Sequence, residues 1–203
     1  MTDESAINDR HAEKMRKKKA ARDKIMAGKT VEKGLIIVHT GKGKGKSTAA
    51  FGMVLRHVGH GMRVAVVQFV KGARDTGERD VLEHFPDLVT IEAMGEGFTW
   101  ETQNRERDME KAREAWEMAK RFIADPSYRM VLLDELNIVL RYDYLPLEEV
   151  LETLKAKPAD KHVVITGRNA RDEIIELADL VTEMEQVKHP FRSGVKAQAG
   201  IEF

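Results

Sequence analysis

Short apolar runs recur along most of the chain, and polar or helix-forming residues separate each run from the next. The runs occupy residues 35–38, 63–69, 88–94, 130–133, 162–166 and 180–184. Between them, apolar side chains recur at helical spacing in residues 103–124, 147–155 and 172–177. Nearly continuous apolar strands separated by helices predict an α/β fold, with a mostly parallel sheet covered by helices on both faces. Such sheets bind their ligands at the carboxyl ends of the strands.

The first 33 residues follow a different pattern. Residues 11–26 are rich in Lys and Arg and favour a helix, but they offer few apolar side chains to a core. We therefore expect a basic helical extension over residues 1–33 and one folded domain over residues 34–203. The extension is open to three interpretations: a solvated charged helix, a nucleic-acid-binding segment, or a cover over an anionic ligand site.

The composition narrows the function classes. Lys+Arg and Asp+Glu both number 34, so no overall charge excess favours nucleic acid or a membrane surface as a partner. The absence of Cys excludes disulfides, thiolate metal sites and a Cys nucleophile. No apolar run approaches the roughly 18 residues that span a bilayer, and the amino terminus lacks the apolar segment of a signal peptide. We therefore expect a cytoplasmic protein.

Residues 40–48 (Thr-Gly-Lys-Gly-Lys-Gly-Lys-Ser-Thr) follow the first apolar run and open a helical stretch. In that context they are typical of a phosphate-binding loop, although Thr40 stands where the usual pattern has Gly. A dinucleotide fingerprint fits worse, because it would need Gly at position 46. With the alternating strands and helices, the loop predicts a P-loop NTPase (RecA-like) fold. The predicted ATP-binding residues are Gly41, Lys42, Gly43, Lys44, Gly45, Lys46, Ser47 and Thr48.

Two acids, Asp134 and Glu135, end the apolar run at 130–133. Alone they are a weak signal, since many buried strands end in an acid that caps the next helix. Together with the phosphate loop they predict a site for Mg²⁺ (or Mn²⁺), with Ser47 and one or both carboxylates as oxygen ligands. His39, His57 and His60 lack the partners of a metal motif, so a separate histidine metal site is not expected.

Two aromatic residues, Phe98 and Trp100, lie two positions apart and directly after a predicted glycine-containing turn at Gly95 and Gly97. They are predicted either to contact a large flat ligand or to pack as a loop anchor on their own domain. Trp116, in contrast, lies on the apolar face of a predicted helix and is expected in the core.

Taken together, these residues resemble a known family, the P-loop class of corrinoid adenosyltransferases (ATP:cob(I)alamin or cob(I)yrinic acid a,c-diamide adenosyltransferase). The resemblance extends over residues 34–203. Its specific motifs are Gly-Phe-Thr-Trp-Glu-Thr-Gln at 97–103 and Tyr-Asp-Tyr-Leu-Pro-Leu at 142–147. Members of the family commonly have Asn and Thr at the positions of Lys42 and Ser47, and Ser47 keeps the hydroxyl group.

The resemblance implies transfer of the 5′-deoxyadenosyl group of ATP to the Co(I) of a corrinoid, with release of triphosphate. It implies that Lys46 binds the leaving triphosphate and that Phe98 and Trp100 exclude the lower axial ligand of cobalt. It further implies that Lys188 and His189 contact the corrinoid, and that a reduced flavin or flavoprotein supplies the electron that forms Co(I). The amino-terminal helix is expected to cover the bound corrinoid in a homodimer.

Two other functions are compatible with the phosphate loop and the acid pair. A RecA-like ATPase would hydrolyse ATP, with Glu135 orienting water, but it should also carry nucleic-acid-binding loops. A regulatory module would bind ATP without turnover. The products of the reaction distinguish these functions, because attack on C5′ releases triphosphate whereas hydrolysis releases ADP and phosphate.

Overall fold

The computed structural model of the chain describes residues 3–70, 77–93 and 105–201. Within these ranges, six parallel strands form one sheet in the order β3-β2-β4-β5-β1-β6. The strands are β1 (Ile36–Thr40), β2 (Val64–Gln68), β3 (Val89–Ala93), β4 (Met130–Asp134), β5 (His162–Thr166) and β6 (Leu180–Glu183). All six overlap the predicted apolar runs, and the bounds of β5 agree with the prediction.

Helices connect the strands. They are α1 (Asp3–Ala27), α2 (Lys46–Gly59), α3 (Gly77–Leu82), α4 (Arg105–Ala124), α5 (Leu136–Arg141), α6 (Leu147–Lys155) and α7 (Asp172–Leu177), with a 3₁₀ helix at Pro190–Ser193. The bounds of α6 and α7 agree with the predicted ones. The sequence did not predict α3, α5 or the 3₁₀ helix. Each has only four to six residues, a length at which a periodic pattern is a weak signal, although the six residues of α7 were predicted.

The sheet is buried on both faces, as β4 illustrates. Val131 and Leu133 belong to a cluster that includes Trp116 of α4. The alternate residue Leu132 belongs to a second cluster on the opposite face, which includes Phe51 of α2. Successive side chains of a strand point to opposite faces, so a strand covered on both sides must be apolar throughout. The predicted α/β fold with helices on both faces is confirmed, as is the burial of Trp116.

The strand register brings four polar residues to one edge of the sheet. Gln68 of β2 lies opposite Asp134 of β4, and His39 of β1 lies opposite Thr166 of β5. Because the strands are parallel, the chain leaves β1, β2, β4 and β5 on this same edge, where ligands of such sheets bind.

The part of the chain before Lys33 and the part from Lys33 onward are two compact units. The described side chains of α1 are exposed along the whole helix, including its apolar residues Ile7, Met15, Ile25 and Met26. Its Lys17 pairs with Glu13 one turn earlier. A charged helix of this kind gains little from core burial. In the described residues, no helix combines the length and the apolar character needed to cross a membrane.

Candidate active site

The phosphate loop joins β1 to α2 and packs against the chain that follows β6. Gly41 has a φ of 94°. A Cβ atom at Gly41 would lie 2.4 Å from the carbonyl oxygen of Met184. The Gly43 N–H donates to that same oxygen at 2.6 Å, and the Met184 N–H donates to the carbonyl of Thr40 at 2.9 Å. These contacts fix the path of the loop, and they explain why position 41 requires a residue without a side chain.

Lys46 begins α2 and is buried, with 7% of its surface exposed. Its Nζ donates to the carbonyl oxygen of Gly43 within the loop. Burial lowers the pKa of Lys46; Glu135 opposes this shift, whereas Arg168 and Lys44 add to it. The ammonium group is therefore held over the loop backbone in surroundings that favour an additional anion.

The first turn of α2 begins at Lys46 and offers further groups to an anion. Gly45 precedes the helix with a φ of 98° and supplies no side-chain cap, and the first turn contains no acidic residue. The backbone N–H groups of a first turn have no partner within the helix, and the helix dipole favours negative charge there. Ser47 and Thr48 place their hydroxyl groups in this turn. The arrangement is suited to a polyphosphate.

Asp134 ends β4 and is fully buried. Thr166 donates its hydroxyl to Oδ1 of Asp134 at 2.8 Å, and the side-chain amide of Gln68 donates to Oδ2 at 3.1 Å. The same Thr166 oxygen accepts the N–H of Glu135 at 2.9 Å. Three adjacent strands thus orient the Asp134 carboxylate. Glu135 follows with a φ of 64°, which directs the chain into α5.

These residues fit a Mg²⁺–nucleotide complex better than a metal ion alone. A Ser hydroxyl and carboxylate oxygens are hard ligands of the type that Mg²⁺ prefers. The described part of the chain contains no group of three or more His, Asp or Glu residues that could hold a metal ion. A cation at this site would therefore take further ligands from phosphate oxygens. The His39 and His57 rings instead donate from Nδ1 to the backbone carbonyls of Lys46 (3.2 Å) and Met53 (2.9 Å).

A cavity of about 590 Å³ lies beside the phosphate loop. Loop residues from Gly43 to Thr48, together with Arg168, form a polar, cationic end. The other walls come from α2, α3 and the chain near the carboxyl terminus. They are formed by Phe51, Leu55, Gly77, Glu78, Val81, Leu82, His189, Gly200 and Ile201. A cavity with a cationic end and apolar walls is suited to a nucleotide.

The structure brings together only part of the predicted site. His189 lines the cavity, and its Nδ1 accepts the N–H of Phe191 at 3.1 Å. Lys188 is exposed and lies outside the cavity wall, as does Lys42. Phe98 and Trp100, predicted to act at cobalt, lie outside the described residues.

Sequence reasoning assigned no role to Gln68, Thr166 or Arg168, although all three lie at or directly after the carboxyl end of a predicted strand. The rule that ligands bind at this edge was the available signal. Which residues meet there depends on the strand order, and the sequence pattern does not reveal that order.

Comparisons with known proteins agree with this geometry. The family described as "ATP:corrinoid adenosyltransferase BtuR/CobO/CobP" matches residues 32–203, and "Cob(I)alamin adenosyltransferase N terminal" matches residues 1–26. A corrinoid adenosyltransferase from Sinorhizobium sp is 65% identical over 196 residues, covering 96% of this chain and 92% of that protein. One from Pseudomonas aeruginosa is 53% identical over 203 residues, covering 100% of both chains. The "Corrinoid adenosyltransferase CobA" of Salmonella typhimurium is 50% identical over 196 residues, covering 97% and 99%.

The resemblance inferred from the sequence motifs is thereby confirmed, since the matches include the phosphate loop, the acid pair and the segment that carries both specific motifs. The chain belongs to the ATP:corrinoid adenosyltransferase family.

Proposed function

We propose that this protein transfers the 5′-deoxyadenosyl group of ATP to the Co(I) of a corrinoid, in adenosylcobalamin biosynthesis or salvage. The substrate is cobalamin or cob(I)yrinic acid a,c-diamide, and triphosphate is released. The observation that carries this proposal is the cavity whose cationic end is the phosphate loop, in a chain that matches the family along nearly its whole length.

The chemical step requires no general base. Co(I) donates an electron pair to C5′ of ATP and forms the cobalt–carbon bond. The C5′–O5′ bond breaks, its electron pair leaves with the triphosphate, and cobalt is formally oxidised to Co(III). The protein must therefore align cobalt with C5′, stabilise the charge on the leaving group and exclude water.

The residues of the cationic end suit the second of these tasks. Lys46 is held over the loop by its bond to the Gly43 carbonyl, so it is pre-positioned for the phosphates without reorganisation. Ser47, with Asp134 or Glu135, would hold Mg²⁺ (or Mn²⁺), directly or through water. When bound, the cation neutralises part of the triphosphate charge. In this role the loop binds a leaving group, whereas in kinases it binds a phosphoryl group that is transferred.

The corrinoid is proposed to bind next to the same cavity. His189 lies on the cavity wall and Lys188 is the adjacent exposed residue, so both are available to a ligand that extends outward. Phe98 and Trp100 are proposed to displace the lower axial ligand of cobalt. Loss of that ligand raises the reduction potential of Co(II), so a reduced flavin or flavoprotein can supply the electron.

The amino-terminal unit is proposed to cover the bound corrinoid, with the protein acting as a homodimer in the cytoplasm. Support comes from the basic, exposed helix α1 and from the separate match of residues 1–26 to an adenosyltransferase amino-terminal family. A helix that buries little surface of its own remains available to cover a ligand.

Product analysis tests the proposal. The protein is incubated anaerobically with Mg²⁺, ATP and a pre-reduced corrinoid, the visible spectrum is followed, and the phosphate products are separated. We expect an adenosylcorrinoid spectrum with one triphosphate per turnover. ADP and phosphate without alkylation would instead identify an ATPase, and ATP binding without turnover would identify a regulatory module.

A further inference from the structure

Arg168 follows β5, the strand that lies between β1 with its phosphate loop and β4 with its acid pair. Its side chain lines the cavity together with Lys46 and the first turn of α2. Within the described part of the chain, the Arg168 guanidinium forms no hydrogen bond or ion pair. A permanently charged group that forms no ion pair thus lies on the wall of the cavity.

The backbone that carries Arg168 is unusual on both sides. Gly167 has a φ of 124°, and a Cβ atom there would lie 2.9 Å from Cβ of Asn137 and 3.1 Å from Oε2 of Glu135. On the other side, Asn169 has a φ of 54°. The left-handed backbone conformation is unfavourable for residues other than Gly, so it persists only where the surrounding structure stabilises it. Such conformations are frequent at functional sites.

Two hydrogen bonds hold this turn. The side-chain amide of Asn137, a fully buried residue of α5, donates to the carbonyl of Gly167 at 3.1 Å. The N–H of Ala170 donates to Oγ1 of Thr40 at 3.1 Å. Since Thr40 immediately precedes the phosphate loop, the turn and the loop share an anchor. Arg168 therefore has a fixed attachment point relative to the loop.

The charges at this position favour an anion. Burial lowers the pKa of Lys46, Glu135 raises it, and Arg168 and Lys44 lower it further, so both of these cations lie within electrostatic range of Lys46. Like charges held close together destabilise the free protein, and a polyanion between them removes that cost. An adenine, a ribose or an apolar ligand carries no negative charge and would leave this repulsion in place.

We propose that Arg168 is a catalytic residue that contacts the triphosphate of ATP and stabilises the negative charge that develops as the C5′–O5′ bond breaks. This inference rests on the proposed function and deepens it. The planar guanidinium forms paired hydrogen bonds with phosphate oxygens and keeps its charge at every working pH. Lys46 and Arg168, from α2 and from the turn after β5, then contact the leaving group from two directions.

The test uses Arg168→Gln and Arg168→Lys in the full-length protein, with Arg121→Gln at the exposed end of α4 as a matched control. Binding of inorganic triphosphate with Mg²⁺ is measured by calorimetry, and adenosylation is measured with pre-reduced Co(I). We expect Arg168→Gln to bind triphosphate about 10- to 100-fold more weakly and to lower kcat by about 10²- to 10³-fold. Arg168→Lys should fall between Arg168→Gln and wild type, and the control should match wild type. Corrinoid affinity should not change in any variant, and no variant should unfold at a lower temperature than wild type.

Wild-type triphosphate affinity and turnover in Arg168→Gln would overturn the inference. A loss of corrinoid affinity with unchanged triphosphate affinity would also overturn it, because the guanidinium would then serve the corrinoid. The proposed function can fail separately. Suppose that the wild-type protein forms no adenosylcorrinoid but loses triphosphate affinity in Arg168→Gln. The contact between Arg168 and triphosphate is then supported, and the corrinoid as acceptor of the adenosyl group is refuted.

Discussion

At the residue scale, burial and the neighbouring charges determine how stable the protonated form of Lys46 is. Burial lowers its pKa, Glu135 raises it, and the cations Arg168 and Lys44 lower it further. A bound triphosphate adds negative charge and shifts this pKa upward again, because it favours the protonated form. The ammonium group is therefore most stable when the ligand is present.

Lys46→Ala and Ser47→Ala are each expected to reduce kcat/KM by the equivalent of about 2–4 kcal/mol, because each removes a preorganised group directed at the polyphosphate. ATP affinity and initial adenosylation rates measure the effect, with the Mg²⁺ concentration varied for Ser47→Ala. Lys155→Ala, at the exposed end of α6, is the control and should match wild type. Unchanged ATP affinity and turnover in either loop variant would contradict the phosphate-loop assignment.

Phe98→Ala and Trp100→Ala are expected to spare ATP binding and to impair the reaction chiefly when it starts from Co(II) with a flavin reductant. The emptied space would admit water or the lower ligand and keep the reduction potential low. Pre-reduction to Co(I) should restore most of the rate. The measurement is the adenosylation rate under both regimes, together with the Co(II) spectrum in the presence of ATP. Equal impairment in both regimes would assign the aromatic side chains to substrate positioning alone.

At the element scale, one buried cation joins α4 to β5. Lys161, which is 2% exposed, directly precedes β5 and donates from Nζ to the carbonyls of Phe122, Asp125 (2.5 Å) and Tyr128. The last carbonyls of a helix have no partner within it, and a cation near them also interacts favourably with the helix dipole. The side chain therefore caps the end of α4 and fixes it to the sheet.

Lys161→Met should lower the free energy of unfolding by about 2–4 kcal/mol, because it retains the apolar stem but leaves buried carbonyls without a donor. Urea unfolding at neutral pH measures this, with Lys155→Met as the exposed control. Since Lys161 is remote from the cavity lining, ATP affinity of the folded variant should equal that of wild type. A stability equal to that of wild type would show that water replaces the ammonium at no cost.

At the scale of the whole molecule, the chain divides into a charged helical unit and an α/β domain. The domain has buried clusters on both faces of its sheet, whereas the described side chains of α1 are exposed. Core burial therefore accounts for the stability of the domain, and α1 contributes little to that core.

Deleting residues 1–30 should leave the thermal unfolding of the domain nearly unchanged and should barely affect ATP affinity. Corrinoid affinity or turnover should fall, because the proposed cover is lost. Calorimetry with each substrate and the adenosylation rate measure these effects. Arg168→Gln should show the opposite pattern, with weaker triphosphate binding and intact corrinoid binding. Full activity in the truncated protein would show that the helix is only a solvated appendage.

The sequence by itself determined the six strands, most of the helices and the anion-binding loop. The run at 162–166 and the helical pattern at 147–155 have the bounds observed for β5 and α6. The spacing of apolar side chains along one strand or helix is a local property, because it can be recognised within that segment alone. The phosphate loop was predictable for the same reason, because its Gly and Lys residues are consecutive.

Only the tertiary structure decided which distant residues meet at that loop. Gln68 and Asp134 are 66 positions apart, and their bond requires β2 and β4 to be neighbours in the sheet. Arg168 reaches the cavity because β5 lies between β1 and β4, and His189 reaches it because the chain returns after β6. Strand order depends on the packing of the whole domain, and no local period encodes it. The phosphate loop was therefore evident in the sequence, whereas the position of Arg168 in the same cavity became evident only in the fold.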